Sequence, residues 1–262
     1  MRVGVTGSTS GIGDHLIKKV LKLGHTAIPL GRTQINSWRL GEGISQNLKL
    51  DVLVHLAHDR SLSVNSNISA AEVLCKSFGG HKIFLSSFSA HSKSKSIYGK
   101  SKYELENIFS KFNGNSLRAG IVYGSNVGGF FANLQNLVSK PLVTPIPYRG
   151  SPLLFTSHIE DLVDEIIINL EFPKNSNIFA AHPVPISLQE LVINIKEAAG
   201  IKSFTFPMPR EPLDSGLKLL SKIVPSVSIA DSLLSLSSQA SYEEISRLSM
   251  PKTKFRAFDL EI

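Results

Sequence analysis

Residues 2–13 read Arg-Val-Gly-Val-Thr-Gly-Ser-Thr-Ser-Gly-Ile-Gly, and the prediction of the fold starts from them. The alternating Val3 and Val5 predict a short buried strand over residues 2–6. The three glycines at 7, 11 and 13 predict a turn, and apolar residues at helical spacing follow it as far as Gly24. In such a strand–turn–helix unit, backbone N–H groups and the helix N-terminus can approach a pyrophosphate. A tight connection that binds no ligand would use the same glycines. The motifs in the rest of the chain are therefore needed to distinguish a pyrophosphate-binding turn from such a connection.

The alternation of strands and helices continues through the first half of the chain. Asp51–Ala57 is almost continuously apolar, which is typical of a parallel strand covered on both faces. Further strands are predicted at 26–30, 82–85 and 116–122, a weak one near Trp38–Leu40, and helices at 64–78 and 98–112. This order predicts an α/β, Rossmann-type doubly wound parallel sheet.

The pattern changes after Tyr123-Gly124. Four prolines between residues 139 and 152 predict a loop rather than sheet interior. Beyond it, a helix is predicted at 161–170, a strand at 177–181, and two capping boxes (Ser187 with Glu190, Ser241 with Glu244) predict helices to about 199 and 248. We therefore expect a dinucleotide-binding domain over 1–124, with 158–184 packing back on it. Residues 125–157 and 185–262 are expected to form a smaller, mainly helical substrate lobe.

The bulk composition narrows the class of protein. A chain of 262 residues with 42% hydrophobic residues can bury a sizeable core. One cysteine, Cys75, excludes a disulfide framework and fits a reducing compartment, so a cytoplasmic location is expected. No signal peptide or apolar span is evident, so no membrane partner is expected. The net charge of +7 is scattered and has no accompanying aromatic series, which favours an anionic small molecule over nucleic acid.

The second informative stretch is Tyr98-Gly-Lys-Ser-Lys102, which follows the Ser86-Ser87 pair. A phenol and an ammonium four residues apart share one face of a helix. Because the cation stabilises the phenolate, such a tyrosine can exchange its proton at lower pH than an isolated one. With a serine hydroxyl and a nicotinamide cofactor, this set supplies the machinery for hydride transfer at a carbinol or ketone. His55 and His58 do not predict a metal pair, because an odd offset on an extended segment places them on opposite faces.

The end of the second strand bears on the choice of cofactor. An acidic residue there would bond the ribose hydroxyls of NAD, whereas an arginine can hold the extra phosphate of NADP. The sequence reads Gly31-Arg32-Thr33, without an acid. Arg32 therefore favours NADP, with NAD as the alternative, unless its side chain only stacks on adenine or faces solvent.

These motifs, in this order, resemble the extended short-chain dehydrogenase/reductases, the family of nucleotide-sugar epimerases, dehydratases and ketoreductases. The matching pieces span about residues 1–165. They are Thr6-Gly7…Gly11-Ile-Gly13, Asp51–Ala57, Asn67-Ile-Ser-Ala-Ala, Phe84-Leu-Ser-Ser87, Tyr98–Lys102, Leu117-Arg-Ala-Gly-Ile-Val-Tyr-Gly124 and His158-Ile-Glu-Asp161.

The resemblance implies a role for each matching residue. Tyr98 would be the acid/base, Lys102 would lower its pKa and bond the nicotinamide ribose, and Ser87 would bond the substrate oxygen. The residues implied to line the dinucleotide, besides Tyr98 and Lys102, are Gly7, Ser10, Gly11, Ile12, Gly13, Arg32, Leu56 and Ala57. His91, in the loop before Tyr98, is a candidate to touch substrate. A homodimer through the helices at 64–78 and 98–112 is also implied.

The chain departs from the family pattern at several positions. The glycine spacing is that of the single-domain branch, and the gap between Ser87 and Tyr98 is short, which leaves Ser86 and Ser89 as alternatives to Ser87. Phe88-Ser89 stands where 4,6-dehydratases carry an acidic pair. Leu154 stands where many members carry an arginine for the nucleotide-sugar diphosphate, and Arg149 is a candidate replacement.

The sequence thus predicts an NAD(P)-dependent oxidoreductase or epimerase that acts on a sugar-like, nucleotide-activated or free, carbinol or ketone. It does not separate an epimerase from a net reductase. Two alternatives stay open: a cofactor-binding regulator or scaffold without turnover, and a single-domain alcohol reductase.

Overall fold

The first strand and helix form where the glycine-rich stretch predicts them. In a computed structural model, which describes residues 1–59, 62–139, 143–173, 176–209 and 228–260, β1 is Arg2–Thr6 and α1 is Gly11–Lys22. Val3 and Val5 are fully buried, and Leu16 and Val20 present the apolar stripe of α1 to them. Asp14 in the first turn and Lys19 and Lys22 in the last complement the helix dipole.

The remaining elements of the first half follow in alternating order. They are β2 (Thr26–Gly31), β3 (Asn36–Ser37), β4 (Val52–His55), α2 (Val64–Ser77), β5 (His81–Ser87), α3 (Ile97–Lys111), β6 (Gly114–Ala119) and β7 (Ile121–Tyr123).

The second half contains short strands between helices. They are α4 (Gly129–Val138), β8 (Val143–Ile146), a 3₁₀ turn (Pro147–Gly150), β9 (Leu153–Leu154), β10 (Thr156–His158), α5 (Ile159–Glu171), β11 (Asn177–Ala180), β12 (Ile186–Ser187), α6 (Leu188–Ala198), β13 (Phe204–Pro207), α7 (Ser228–Ser237) and α8 (Tyr242–Ser246).

The central sheet confirms the predicted fold class. Its seven strands run in the order β11-β6-β5-β4-β1-β2-β3, and all the pairs are parallel. The order reverses between β1 and β4, which is where a doubly wound sheet opens a crevice at the carboxyl ends of its strands. One core packs α1 and α5 against one face of the sheet, and a second packs α2 and α3 against the other.

The second half builds a separate core. Tyr123, Phe131 and Leu134 pack there with residues of α6 and with Leu236 of α7. Phe255, however, lies in the first core, so the end of the chain returns to the sheet. The carboxylates of Asp161 and Glu165 on α5 hold it by accepting the backbone N–H groups of residues 252, 253 and 256. No helix within the described ranges is both long and apolar enough to cross a bilayer.

Three local predictions were wrong in part. The strand predicted at 116–122 divides at Gly120, because β7 leaves the main sheet to pair with β10. The proline-rich segment predicted to be a loop contains β8, whose pairing with β13 in an isolated two-stranded sheet tolerates Pro145. The strand near Trp38 lies instead at β3, and Trp38 turns inward, with its indole N–H donating to the carbonyl oxygen of Glu42 at 3.0 Å.

Candidate active site

The glycine-rich turn is shaped by close backbone packing. Gly7 has a left-handed φ of +67°, and a Cβ on Gly13 would lie 2.5 Å from the carbonyl oxygen of Gly7. Ser10 caps α1: its hydroxyl accepts the N–H of Gly13 at 3.1 Å and donates to the Gly7 carbonyl at 2.8 Å. A side chain at position 7 or 13 would therefore distort the turn. The space at this helix N-terminus suits the pyrophosphate of a dinucleotide.

One cleft of about 570 Å³ joins this turn to the predicted catalytic residues. Its volume lies in the range of small-molecule sites. The cleft opens over the carboxyl ends of β4, β5 and β6, where a doubly wound sheet binds its ligands. Predicted site residues in its wall are Ser10, Gly11, Ile12, Leu56, Ser87, Tyr98 and Lys102.

The start of α3 places the tyrosine and the lysine on the cleft. Ser96 caps the helix by accepting the N–H of Gly99 at 2.9 Å. A Cβ on Gly99 would lie 2.2 Å from the Ser94 hydroxyl oxygen, so glycine allows the preceding loop to pack close. Tyr98 and Lys102 are offset by four positions, and both face the cleft, as the spacing predicts.

Lys102 is buried against the end of β5. Its ammonium donates to the carbonyl oxygen of Leu85 at 2.7 Å and lies 4.5 Å from the centre of the Phe84 ring. It lies 5.7 Å from the centre of the Tyr98 ring. The Leu85 carbonyl and the Phe84 ring thus hold the positive charge of Lys102 near the ring of Tyr98.

The three serines that the sequence left as alternatives have different surroundings. The Ser86 hydroxyl donates to Glu106 at 2.5 Å, inside a buried ion pair in which Glu106 binds Arg118 through two bonds of 2.8 and 2.7 Å. The Ser87 hydroxyl lies 2.9 Å from that of Ser89. All three serines line the cleft, but the Ser86 hydroxyl is bonded to the buried ion pair, whereas the Ser87 hydroxyl has Ser89 as its neighbour.

Two histidines at the end of β4 have different environments: His55 is its last residue, and His58 follows it. His55 is fully buried, lies 2.7 Å through Nδ1 from the Thr6 hydroxyl, and stacks against Phe84 and Phe109. Burial first, and the nearby Lys102 charge second, lower the pKa of His55 to about 3. His58 lies in the cleft wall, with its ring edge-on to that of Tyr98 at 5.2 Å.

Six predicted site residues lie outside the cleft wall: Gly7 and Gly13, which shape the turn, and Arg32, Ala57, His91 and Arg149. Arg32 is exposed at the end of β2, and Ala57 packs its backbone against Gly7 beneath the turn. His91 is buried, with its Nε2 atom 3.0 Å from the Ser238 carbonyl oxygen. Arg149 lines a second cavity of about 600 Å³, which shares Leu236 and Gln239 with the cleft.

Helix α7 contributes residues that the sequence did not single out. Ser232, Ser235 and Leu236 of this helix line the cleft, together with Gln239 just beyond its end. They come from a Ser/Leu-rich segment whose local pattern indicates only an apolar face for packing. The loop between β7 and α4 was also missed: the Asn126 carbonyl oxygen would lie 2.2 Å from a Cβ on Gly11, so this loop closes over the glycine turn.

The chain is similar in fold to several solved structures of nucleotide-sugar enzymes. UDP-glucuronic acid 4-epimerase from Bacillus cereus, in complex with NAD, has a TM-score of 0.68 at 19% identity over 90% of this chain and 95% of the other. UDP-glucose 4-epimerase from Thermotoga maritima, with UDP-glucose, has a TM-score of 0.66 at 19% identity over 80% and 86%. A dTDP-4-dehydrorhamnose reductase from Clostridium acetobutylicum has a TM-score of 0.67 at 15% identity over 81% and 85%. No family model matches the chain, and no curated protein matches it in sequence.

Proposed function

We propose that this chain, which has the fold of the extended short-chain dehydrogenase/reductases, is an NAD(P)-dependent oxidoreductase or epimerase of a sugar-like carbinol or ketone. The observation that carries the proposal is the single cleft between the glycine turn and the side chains of Ser87, Tyr98 and Lys102. The residues present fit a dinucleotide, because the turn excludes Cβ atoms at positions 7 and 13 and the N-terminus of α1 opens onto the cleft.

Each of the predicted catalytic residues in the cleft has a separate role in the oxidation of a carbinol or the reduction of a ketone. A bound nicotinamide supplies the acceptor or donor of the hydride. In the oxidative direction Tyr98 accepts the proton of the carbinol O–H, and in the reductive direction it returns a proton to the carbonyl oxygen. Ser87 orients that oxygen by a hydrogen bond, and Lys102 favours the phenolate through its charge. Leu56, Ile12 and the loop after β7 line the same cleft around these groups.

The substitution Tyr98→Phe tests this assignment, with Tyr103→Phe on the same helix as the control. We expect Tyr98→Phe to lower kcat by roughly 10²–10⁴-fold, the usual contribution of general acid–base catalysis, with cofactor affinity unchanged. Tyr103→Phe is expected to retain wild-type turnover, because Tyr103 is absent from the cleft wall. A folded wild-type protein that binds cofactor but turns over no sugar substrate would favour the regulator or scaffold instead.

We propose NADP as the preferred cofactor, with Arg32 binding the additional phosphate. Support comes from its exposed position at the end of β2, where an acid would select NAD. NAD is the alternative, because the structurally similar UDP-glucuronic acid 4-epimerase from Bacillus cereus was solved with NAD. Arg32→Ser is expected to weaken NADPH binding at least about tenfold and leave NADH binding unchanged. An equal loss of affinity for NADPH and NADH in this variant would contradict the proposed role of Arg32.

We also propose that the substrate is nucleotide-activated and that Arg149 binds its anionic part. The second cavity supports this, because it carries an exposed cation and shares Leu236 and Gln239 with the cleft. UDP-glucose, the ligand in the structurally similar epimerase from Thermotoga maritima, is of this class. Arg149→Ala is expected to raise KM for a nucleotide sugar about tenfold with little change in kcat, whereas KM for a neutral sugar should not change.

A further inference from the structure

The N-terminus of α3 is capped by a carboxylate from a distant part of the chain. Asp231, on α7, accepts the backbone N–H of Ile97 at 2.6 Å and that of Tyr98 at 3.0 Å. Its side chain is buried, with 7% of the residue exposed. With Ser96 bonded to the N–H of Gly99, each of the first three N–H groups of α3 has an acceptor.

Helix α7 and the residues that follow it, as far as Ala240, also form hydrogen bonds with the loop that connects β5 to α3. The Ser235 hydroxyl donates to Ser89 at 2.8 Å, and Ser89 lies 2.9 Å from Ser87. The Ala240 N–H donates to the Phe88 carbonyl oxygen at 2.8 Å. Helix α7 thus contacts the serine end and the tyrosine end of the predicted catalytic set, while it also forms one wall of the cleft.

We propose that Asp231 is a positioning residue for Tyr98: its carboxylate fixes the first turn of α3 and thereby places the phenol in the cleft. A neutral side-chain cap such as Ser96 satisfies one N–H, whereas the carboxylate binds two successive N–H groups and interacts with the positive end of the helix dipole. Because Tyr98 is itself one of the two residues held, a shift of the first turn moves its ring directly. The catalytic consequence depends on the proposed function, but the placement of the ring does not.

Glu165 offers a matched control. Its buried carboxylate also accepts two successive backbone N–H groups, those of Lys252 at 3.0 Å and Thr253 at 2.8 Å, and it is absent from the cleft wall. Asp231→Asn and Glu165→Gln each remove one negative charge and one strong acceptor. Both substitutions are expected to lower the free energy of unfolding in similar ways. A change in the Tyr98 NMR signal or in kcat that only Asp231→Asn shows therefore reports on the position of Tyr98 rather than on stability.

The experiment compares the two variants by NMR of protein labelled with ¹³C at the tyrosine ring. The chain has five tyrosines, and the Tyr98 signal is assigned with Tyr98→Phe. We expect Asp231→Asn to shift or broaden the Tyr98 signal and Glu165→Gln to leave it unchanged. In turnover, we expect Asp231→Asn to lower kcat roughly 10- to 100-fold, as a small misplacement of a catalytic group does, without changing the KM for cofactor.

Each result has a defined meaning. An unmoved Tyr98 signal in Asp231→Asn, or an equal shift in both variants, would overturn the proposal, as would a shifted signal with an undiminished kcat. If the wild-type protein shows no turnover, the proposed function fails, and the NMR comparison still decides whether Asp231 positions the ring. Should Asp231→Asn not fold, Asp231→Ser, which keeps one hydrogen-bond acceptor, takes its place in both measurements.

Discussion

The buried His55 makes the stability of this protein depend on pH in a calculable way. Its imidazole packs beside the stacked rings of Phe84 and Phe109, and burial with the Lys102 charge lowers its pKa from 6.5 to about 3. Below pH 6.5 the unfolded chain binds a proton at His55 that the folded protein does not. Stability is therefore lost as the pH falls below 6.5, until the folded protein also takes up the proton near pH 3.

The magnitude follows from these two pKa values. Between pH 7 and pH 5, His55 alone lowers the free energy of unfolding by about 2 kcal/mol. His55→Asn removes the titration and keeps a polar atom near Nδ1, which lies 2.7 Å from the Thr6 hydroxyl. The variant is expected to be less stable at pH 7, because the smaller side chain leaves a cavity, and it should lose about 2 kcal/mol less on acidification.

The assay is urea unfolding of both proteins at pH 7 and pH 5, followed by circular dichroism. Other titrating groups contribute equally to the two proteins, so the difference between their pH dependences isolates His55. Equal losses in the wild-type protein and in His55→Asn would refute the reasoning, since they would mean that the folded protein accepts the proton at its ordinary pKa.

Two further predictions concern buried groups away from the cleft wall. Glu106→Gln should lower the free energy of unfolding by about 3–5 kcal/mol, because it leaves the Arg118 charge buried without its bidentate carboxylate. A loss below about 1 kcal/mol, measured by urea unfolding, would contradict this prediction. Cys75 is buried, and burial raises the pKa of its thiol to about 12. A disulfide reagent at about pH 8 should therefore modify this thiol only as the chain unfolds. Rapid modification of the native protein would contradict the observed packing of α2.

The sequence predicted those parts of the structure that depend on local pattern. The alternating valines of β1, the glycine turn and the helical spacing of α1 are formed as expected. The same holds for Tyr98 and Lys102, because a four-residue offset on a helix places two side chains on one face whatever surrounds it. The two capping boxes are likewise present, since each is a contact within one turn.

The sequence did not reveal contacts between distant segments. Asp231 reaches α3 across more than a hundred residues, and nothing in the Ser/Leu-rich segment around it indicates which helix it will cap. Ser86 and Ser87 are indistinguishable in sequence, and only the buried Glu106–Arg118 pair separates their surroundings. The pairing of β8 with β13 joins two segments about sixty residues apart and was missed for the same reason.

The central claim is that the cleft binds a nicotinamide dinucleotide between the glycine turn and Tyr98. The most direct measurement is a titration of the folded protein with NADH and with NADPH. Since Trp38 is the only tryptophan in the chain and is buried, energy transfer from it to the bound nicotinamide can be followed without interference from another indole. We predict saturable quenching of Trp38 with at least one of the two cofactors, reversed by competition with the oxidised form. A folded protein that shows no saturable binding of either cofactor would contradict the account.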